Sequence, residues 1–195
     1  MSEFMLGCNY WASHAGAEMW KNWDEEQVER DMQDLSEYGV KYLRVFPNWK
    51  DFQPVMPVYG GEGRIKEYML EGCREPENPW YLDEVMLDRF GKFCTVAEKY
   101  GMTVVIEPLR KEETNMINTV KEGTMLAVLS GRDNIACLAD LYHMVDDNND
   151  DIRQLKGSVR HAHFSNPTST DGLKRRFPKS LEEYDYQAFI DALKF

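Results

Sequence analysis

Four cysteines occur in the 195 residues, and Cys8, Cys73, Cys94 and Cys137 are too scattered for any zinc-binding or redox-active spacing. They read as free thiols in a reducing compartment, which points to a cytoplasmic protein. No run approaches the roughly 18 consecutive apolar residues of a membrane span. Met1–Tyr10 lacks the basic start and long apolar core of a secretory signal. Basic residues are also in short supply. Lys and Arg total 23 against 34 Asp and Glu, a formal charge of −11, and binding to phosphate backbones needs a basic face. Nucleic acid and membrane are therefore excluded as expected partners. Apolar material is not scarce: 43% of residues are hydrophobic and 12% aromatic, enough to build a core. The expectation is one α/β domain over residues 1–195, shorter than the roughly 250 residues usual for a (β/α)8 barrel.

Along the chain, strand-like and helix-like patterns alternate. Phe4–Tyr10, Val40–Phe46, Met102–Glu107, Asn134–Asp140 and Ser158–Phe164 are apolar runs of strand length. Between them, Asp24 with Gln27 forms a capping-box pattern ahead of Val28, Met32 and Leu35, and Gly39 ends that helix. Asp83 caps a second helix with Met86, Phe90, Phe93 and Ala97 on one face. Asn118–Ser130 predicts a weaker helix interrupted by Gly123, and Tyr186–Leu193 a terminal one. The stretch from Asn48 to Pro79 is too long for a structureless connection, so it should be a functional loop or an insertion with short strands. Asp146–Asp151 reads as an acidic, solvated loop. Five strands alternating with helices imply parallel β/α units of TIM-barrel type, truncated or incompletely closed, with chemistry at the strand C-termini.

Those strand ends carry the residues of catalytic type. Glu107 closes MTVVIE, and Asp140 closes NIACLAD with His143 three residues later. His161 and His163 alternate in SVRHAHF and share one strand face, and Arg44 lies inside VKYLRVF. Each also has a plainer reading. Glu107 before Pro108 could be a loop carboxylate, Asp140 and His143 a cap and a surface imidazole, and Arg44 a strand arginine paired to an acidic neighbour. Trp11, Trp20, Trp23, Trp49 and Trp80 could pack the core or stack on sugar rings. Taken together, Glu107, Asp140 and His163 would project into one mouth. Their mixed oxygen and nitrogen shell suits Mn²⁺ or Mg²⁺, with Co²⁺ or Zn²⁺ as alternatives. Such a shell supports proton movement beside a carbonyl: the metal stabilises an ene-diolate of a sugar while a carboxylate shuttles the proton.

From Glu107 onward, IEPLRKEETNMINTV, CLADLYHM, VRHAHFSNP, RRFP and YDYQAFIDALK resemble the sugar phosphate isomerase/epimerase family, the xylose-isomerase-like TIM barrels. The resemblance implies that Glu107, Asp140 and His163 bind a divalent metal, that Glu107 also acts as acid and base, and that His143 lies near the substrate. It also implies an arginine, Arg175 or Arg176, on substrate hydroxyl or phosphate, and His161 is a further candidate substrate contact. The family's fourth ligand, a Glu on the last barrel strand, has no counterpart before Phe195. Residues 4–105 resemble instead the cellulase- and mannanase-like (β/α)8 glycoside hydrolases, through GCNYWASHAG, GVKYLRVFPNWKDFQP, REPENPWYLDE and DRFGKFCTVAEKYG. There Arg44 would support a catalytic carboxylate and Trp11 would line a sugar subsite. The two resemblances meet near AEKYGMTVVI and imply a chimera, hydrolase-like over 1–101 and isomerase-like over 102–195.

The leading expectation is a divalent-metal-dependent sugar or sugar phosphate isomerase/epimerase, possible inactivity following from the missing last-strand Glu. The alternatives are a glycoside hydrolase acting on β-linked glycans and a non-catalytic carbohydrate-binding remnant. The expected partner is a small sugar, with a homo-oligomer as an open possibility.

Overall fold

The computed structural model describes residues 6–53, 55–70, 82–113, 117–144, 149–155, 157–167 and 176–194. In chain order the elements begin with β1 (Leu6–Asn9), α1 (Glu25–Glu37), β2 (Val40–Arg44), α2 (Trp49–Phe52), β3 (Val55–Tyr59), β4 (Ile65–Leu70) and α3 (Glu84–Lys99). They continue with β5 (Thr103–Ile106), α4 (Val120–Leu129), β6 (Ile135–Asp140), α5 (Asn149–Gln154), β7 (Val159–His163) and α6 (Tyr186–Leu193). All five expected strands form within the described residues. The long stretch after Asn48 carries β3 and β4, an antiparallel hairpin. The architecture is an incomplete TIM-type barrel of parallel β/α units. Trp80, Arg175 and the Asp146–Asn148 part of the acidic run lie outside the described residues. Asn149–Asp151, expected as loop, opens α5 instead.

The chain divides into two compact units, Met1–Val40 with Val45–Gly101, and Lys41–Arg44 with Met102–Phe195. In the first, Trp20 is fully buried among Phe52, Phe90 and Phe93. Its indole N–H donates to the Phe46 carbonyl at 2.9 Å, so this tryptophan packs the core. Asp24 caps α1 by accepting from the Gln27 N–H, but the reciprocal half of the expected capping box does not form. The Gln27 amide turns away to Ser13 and Asp31, because Asp31 gathers a tertiary network that also takes the Tyr10 hydroxyl and the Ser13 N–H and hydroxyl.

In the second unit, β2, β5, β6 and β7 lie side by side in that order, all parallel. Strand β6 separates two apolar layers by its period of two. Cys137 and Ala139 face Val120, Tyr186 and Phe189 from the helices. Ala136 and Leu138 face Val105 and Tyr42, and Asp140 continues that second face. Between β6 and β7 the register shifts: Cys137 pairs with Val159 but Leu138 with His161. The extra residue, Arg160, is a bulge that reverses the alternation. Val159 before it and Ala162 after it both pack against the helix-side core, which turns His161 and His163 to the face of Leu138 and Asp140. Helix α4 starts from a capping box the sequence reading passed over, Thr119 with Glu122. Gly123 lets it lie close, since a Cβ there would stand 2.8 Å from Cys137 Sγ and 3.1 Å from Pro108 Cγ.

Candidate functional site

Four neighbouring parallel strands end in polar side chains that meet. Arg44 is the last residue of β2, Glu107 follows β5, and Asp140 and His163 end β6 and β7, paired in register. The Glu107 and Asp140 side chains are 6% and 1% exposed, a costly place for carboxylates unless each is paired. One oxygen of each is committed to the scaffold. Arg44 ion-pairs with Glu107 Oε2, and the Tyr142 N–H donates to Asp140 Oδ1 at 2.8 Å in a turn of the kind Asp favours. The other oxygens point together: His163 Nδ1 lies 3.0 Å from Glu107 Oε1 and 3.2 Å from Asp140 Oδ2. Hydrogen bonds to Asp140 and then Glu107 push the His163 imidazole up to about 9.

His143 is 7% exposed. The Arg110 N–H points at its Nδ1, 3.4 Å away, and the second ring nitrogen is Nε2. That nitrogen faces the same point, 3.9 Å from Glu107 Oε1 and 4.0 Å from Asp140 Oδ2. His161 stacks on Tyr42 at 5.2 Å and meets the His163 ring edge-on at 5.5 Å. Burial, reinforced by the neighbouring His163 charge, pushes its imidazole down. Tyr42 and Glu113, whose carboxylate approaches His143 Nδ1 at 4.0 Å, were not singled out from sequence. Tyr42 carried a signal, standing two residues before Arg44 and so on its strand face.

One oxygen each from Glu107 and Asp140 and one nitrogen from His163 lie within 4.8 Å of one another, a spacing on which a metal ion could sit. Two other expected substrate contacts have partners of their own. Arg176 bonds Glu183 at 3.3 Å beside Asn166, which bonds the same carboxylate. Trp11, 44% exposed, belongs to the first unit and stacks on Phe46.

The family model for xylose isomerase-like TIM barrels matches residues 5–195. The chain belongs to this family. The match runs unbroken through Gly101, so the expected chimera is corrected: the first half is part of the same barrel family. Among the described parts of the motifs taken as hydrolase-like, Tyr10 and Ser13 bond Asp31 of α1, the Phe46 carbonyl accepts from the Trp20 indole, and Phe52 packs edge-on against that ring.

Among xylose isomerase-like relatives, the chain is 24% identical over 175 residues to 3-dehydro-D-guloside 4-epimerase of Escherichia coli K12, covering 87% of this chain and 58% of that protein. Its fold is similar to that of apo 3-keto-D-glucoside 4-epimerase from E. coli, with a TM-score of 0.54 and 19% identity over 87% of this chain and 58% of the other. It is also similar to D-psicose 3-epimerase from Clostridium cellulolyticum H10 crystallised with D-tagatose, with a TM-score of 0.54 and 18% identity over 96% and 60%. A third likeness is to D-allulose 3-epimerase from Methylomonas sp. in complex with D-allulose, with a TM-score of 0.51 and 18% identity over 87% and 51%. The chain therefore spans less than two thirds of these relatives' lengths. No helix among the described residues is long and apolar enough to cross a membrane.

Proposed function

We propose that this chain carries a divalent-metal-dependent sugar isomerase or epimerase site that moves a proton at the carbon beside a carbonyl. The observation that carries the reading is the convergence of Glu107, Asp140 and His163 from three adjacent strand ends, with the opposite oxygen of each carboxylate already held by Arg44 or the Tyr142 N–H. That division of labour suits a metal centre, whose ligands are oriented by bonds on their far side. The donors are two carboxylates and an imidazole, with no thiolate, so Mn²⁺ or Mg²⁺ fits best and Co²⁺ or Zn²⁺ remain compatible. When bound, such an ion supplies Lewis-acid polarisation of a carbonyl or hydroxyl oxygen.

This chain's residues supply the rest. Glu107, besides holding the metal, would be the carboxylate that takes and returns the proton, and its ion pair with Arg44 fixes its direction. His143 Nε2 faces the same point and, when protonated, would donate to a substrate oxygen. His161, kept neutral by burial and held by Tyr42, would shape the wall beside His163. Keto sugars of the D-allulose class, the ligand in one related structure, are the substrates to try. Mn²⁺ added in a calorimeter should bind one site per chain, and Asp140→Ala should abolish binding. Deuterium from solvent should enter D-allulose beside the carbonyl with Mn²⁺ present, and Glu107→Gln should slow this by about 10²-fold or more. Absence of Mn²⁺ binding to the unsubstituted protein would sink the proposal.

A further inference from the structure

The strands that end in Asp140 and His163 begin at a cavity. It has a volume of about 330 Å³ and opens between the C-terminal end of α4 and the first residues of β6 and β7. Ala136 lines it, and β6 runs on for four residues from there to Asp140. At about 3.3 Å per residue, about 13 Å of strand separates the cavity from the proposed metal site. The two are distinct places on the same sheet.

The lining divides into an apolar wall and a polar one. Ala127 and Val128 of α4 and Ile135 of β6 form the first, while Arg132, Asp133, Ser158 and Arg160 supply the second. Two guanidinium groups therefore stand against one carboxylate, in a chain whose formal charge is −11. The net charge of the chain repels anions, so affinity for one has to be built locally. This lining has the required sign. Its volume lies at the low end of small-molecule sites, which likewise combine an apolar wall with a few placed polar groups.

Arg160 is the group best placed to hold a ligand. As the extra residue of the β7 bulge, it is released from the alternation that commits Val159 and Ala162 to one sheet face and His161 and His163 to the other, and bulges re-aim side chains in this way. Its Nε–H donates to the Gly157 carbonyl at 3.2 Å, which folds the guanidinium back over the start of the strand. Among the described residues its Nη groups meet no carboxylate. The Ser158 hydroxyl has no hydrogen-bond partner among them either. At Gly131 and Gly157, which also line the cavity, an added Cβ would meet no atom within 4 Å, so both border on open space.

We propose that this cavity binds a small organic anion, its phosphate or carboxylate on Arg160 and Arg132 and its carbon body against Val128 and Ile135. The planar guanidinium fork suits either anionic group. Ser158 would donate a further hydrogen bond to it.

The test is a titration of the whole chain, without Mn²⁺, followed by the backbone amide NMR spectrum. Phenyl phosphate and benzoate are the two anion probes, and benzylammonium is a body of similar size with the opposite charge. At least one anion should shift the Gly131, Gly157 and Ser158 amides saturably, with a dissociation constant on the order of a few millimolar for so small a ligand. Which anion binds tighter tells phosphate from carboxylate. Arg160→Gln should weaken binding at least tenfold with the rest of the spectrum unchanged, and Arg160→Lys should lose less. The proposal is overturned if neither anion gives a saturable shift, if benzylammonium binds equally well, or if Arg160→Gln leaves the affinity intact. Shifts confined to Asp140 and His163 would overturn it too, by placing the anion at the other end of the strands. No outcome depends on metal binding or turnover, so this site and the proposed activity stand or fall separately.

Discussion

Asp31 and Asp140 are carboxylates taken at least partly out of water with partners of different kinds. Burial alone would raise the Asp31 carboxyl, but hydrogen bonds from the Ser13 backbone and hydroxyl, Gln27 and Tyr10 outweigh it and hold the group below the usual carboxylate range. The folded chain then binds fewer protons here than the unfolded one. The resulting stability is present above the unfolded value of about 3.9 and is lost as pH falls through the depressed folded value. Asp31→Asn should lower the urea midpoint at pH 7, and its difference from the unsubstituted protein should shrink as the pH is brought towards 3. Asp140 instead accepts from the Tyr142 N–H and contacts His163 Nδ1, the contact a metal would replace. Glu107, Asp140 and His163 were legible in sequence because a charged residue closing an apolar run marks a strand end. Gln27 was misread in part: its local role as a cap partner competes with a tertiary one, and the spacing shows only the first.

Among the elements, α4 and β7 show most clearly where periodicity stops being informative. Gly123 looks like a weakness in α4, yet the close approach to Cys137 and Pro108 requires it. Gly123→Ala would gain about 1 kcal/mol of helix propensity and lose about 2–3 kcal/mol to overpacking. A net loss of about 1–2 kcal/mol in urea denaturation is expected, partly recovered by adding Cys137→Ala. In β7 the alternation of His161 and His163 was plain, but which side they face was set by the bulge at Arg160, invisible without the partner strand. The hairpin of β3 and β4 was anticipated only as short strands in an overlong loop, since the register that pairs Val55 with Leu70 is a long-range fact.

For the molecule as a whole, the residues proposed to hold a metal all belong to the second unit. A ligand that binds only the folded state stabilises by mass action, about 2.7 kcal/mol at a hundred times its Kd. For a chain of this size that corresponds to roughly 5–10 °C in Tm. Mn²⁺ at that excess should raise the melting temperature by this amount, chelator should reverse it, and Asp140→Ala should melt alike with and without the ion. A shift retained in Asp140→Ala would place the binding site elsewhere.

The sequence alone determined the alternation of strands and helices and the strand ends where Arg44, Glu107, Asp140 and His163 stand, because period and chain polarity are local properties. It also suggested two parent families, where a single family model matches residues 5–195. Only the tertiary structure decided that Trp20 is core, that Arg44 holds the outer oxygen of Glu107, and that a bulge brings His163 between two carboxylates. Those outcomes depend on which strands become neighbours and in what register, which residues far apart in the chain settle together.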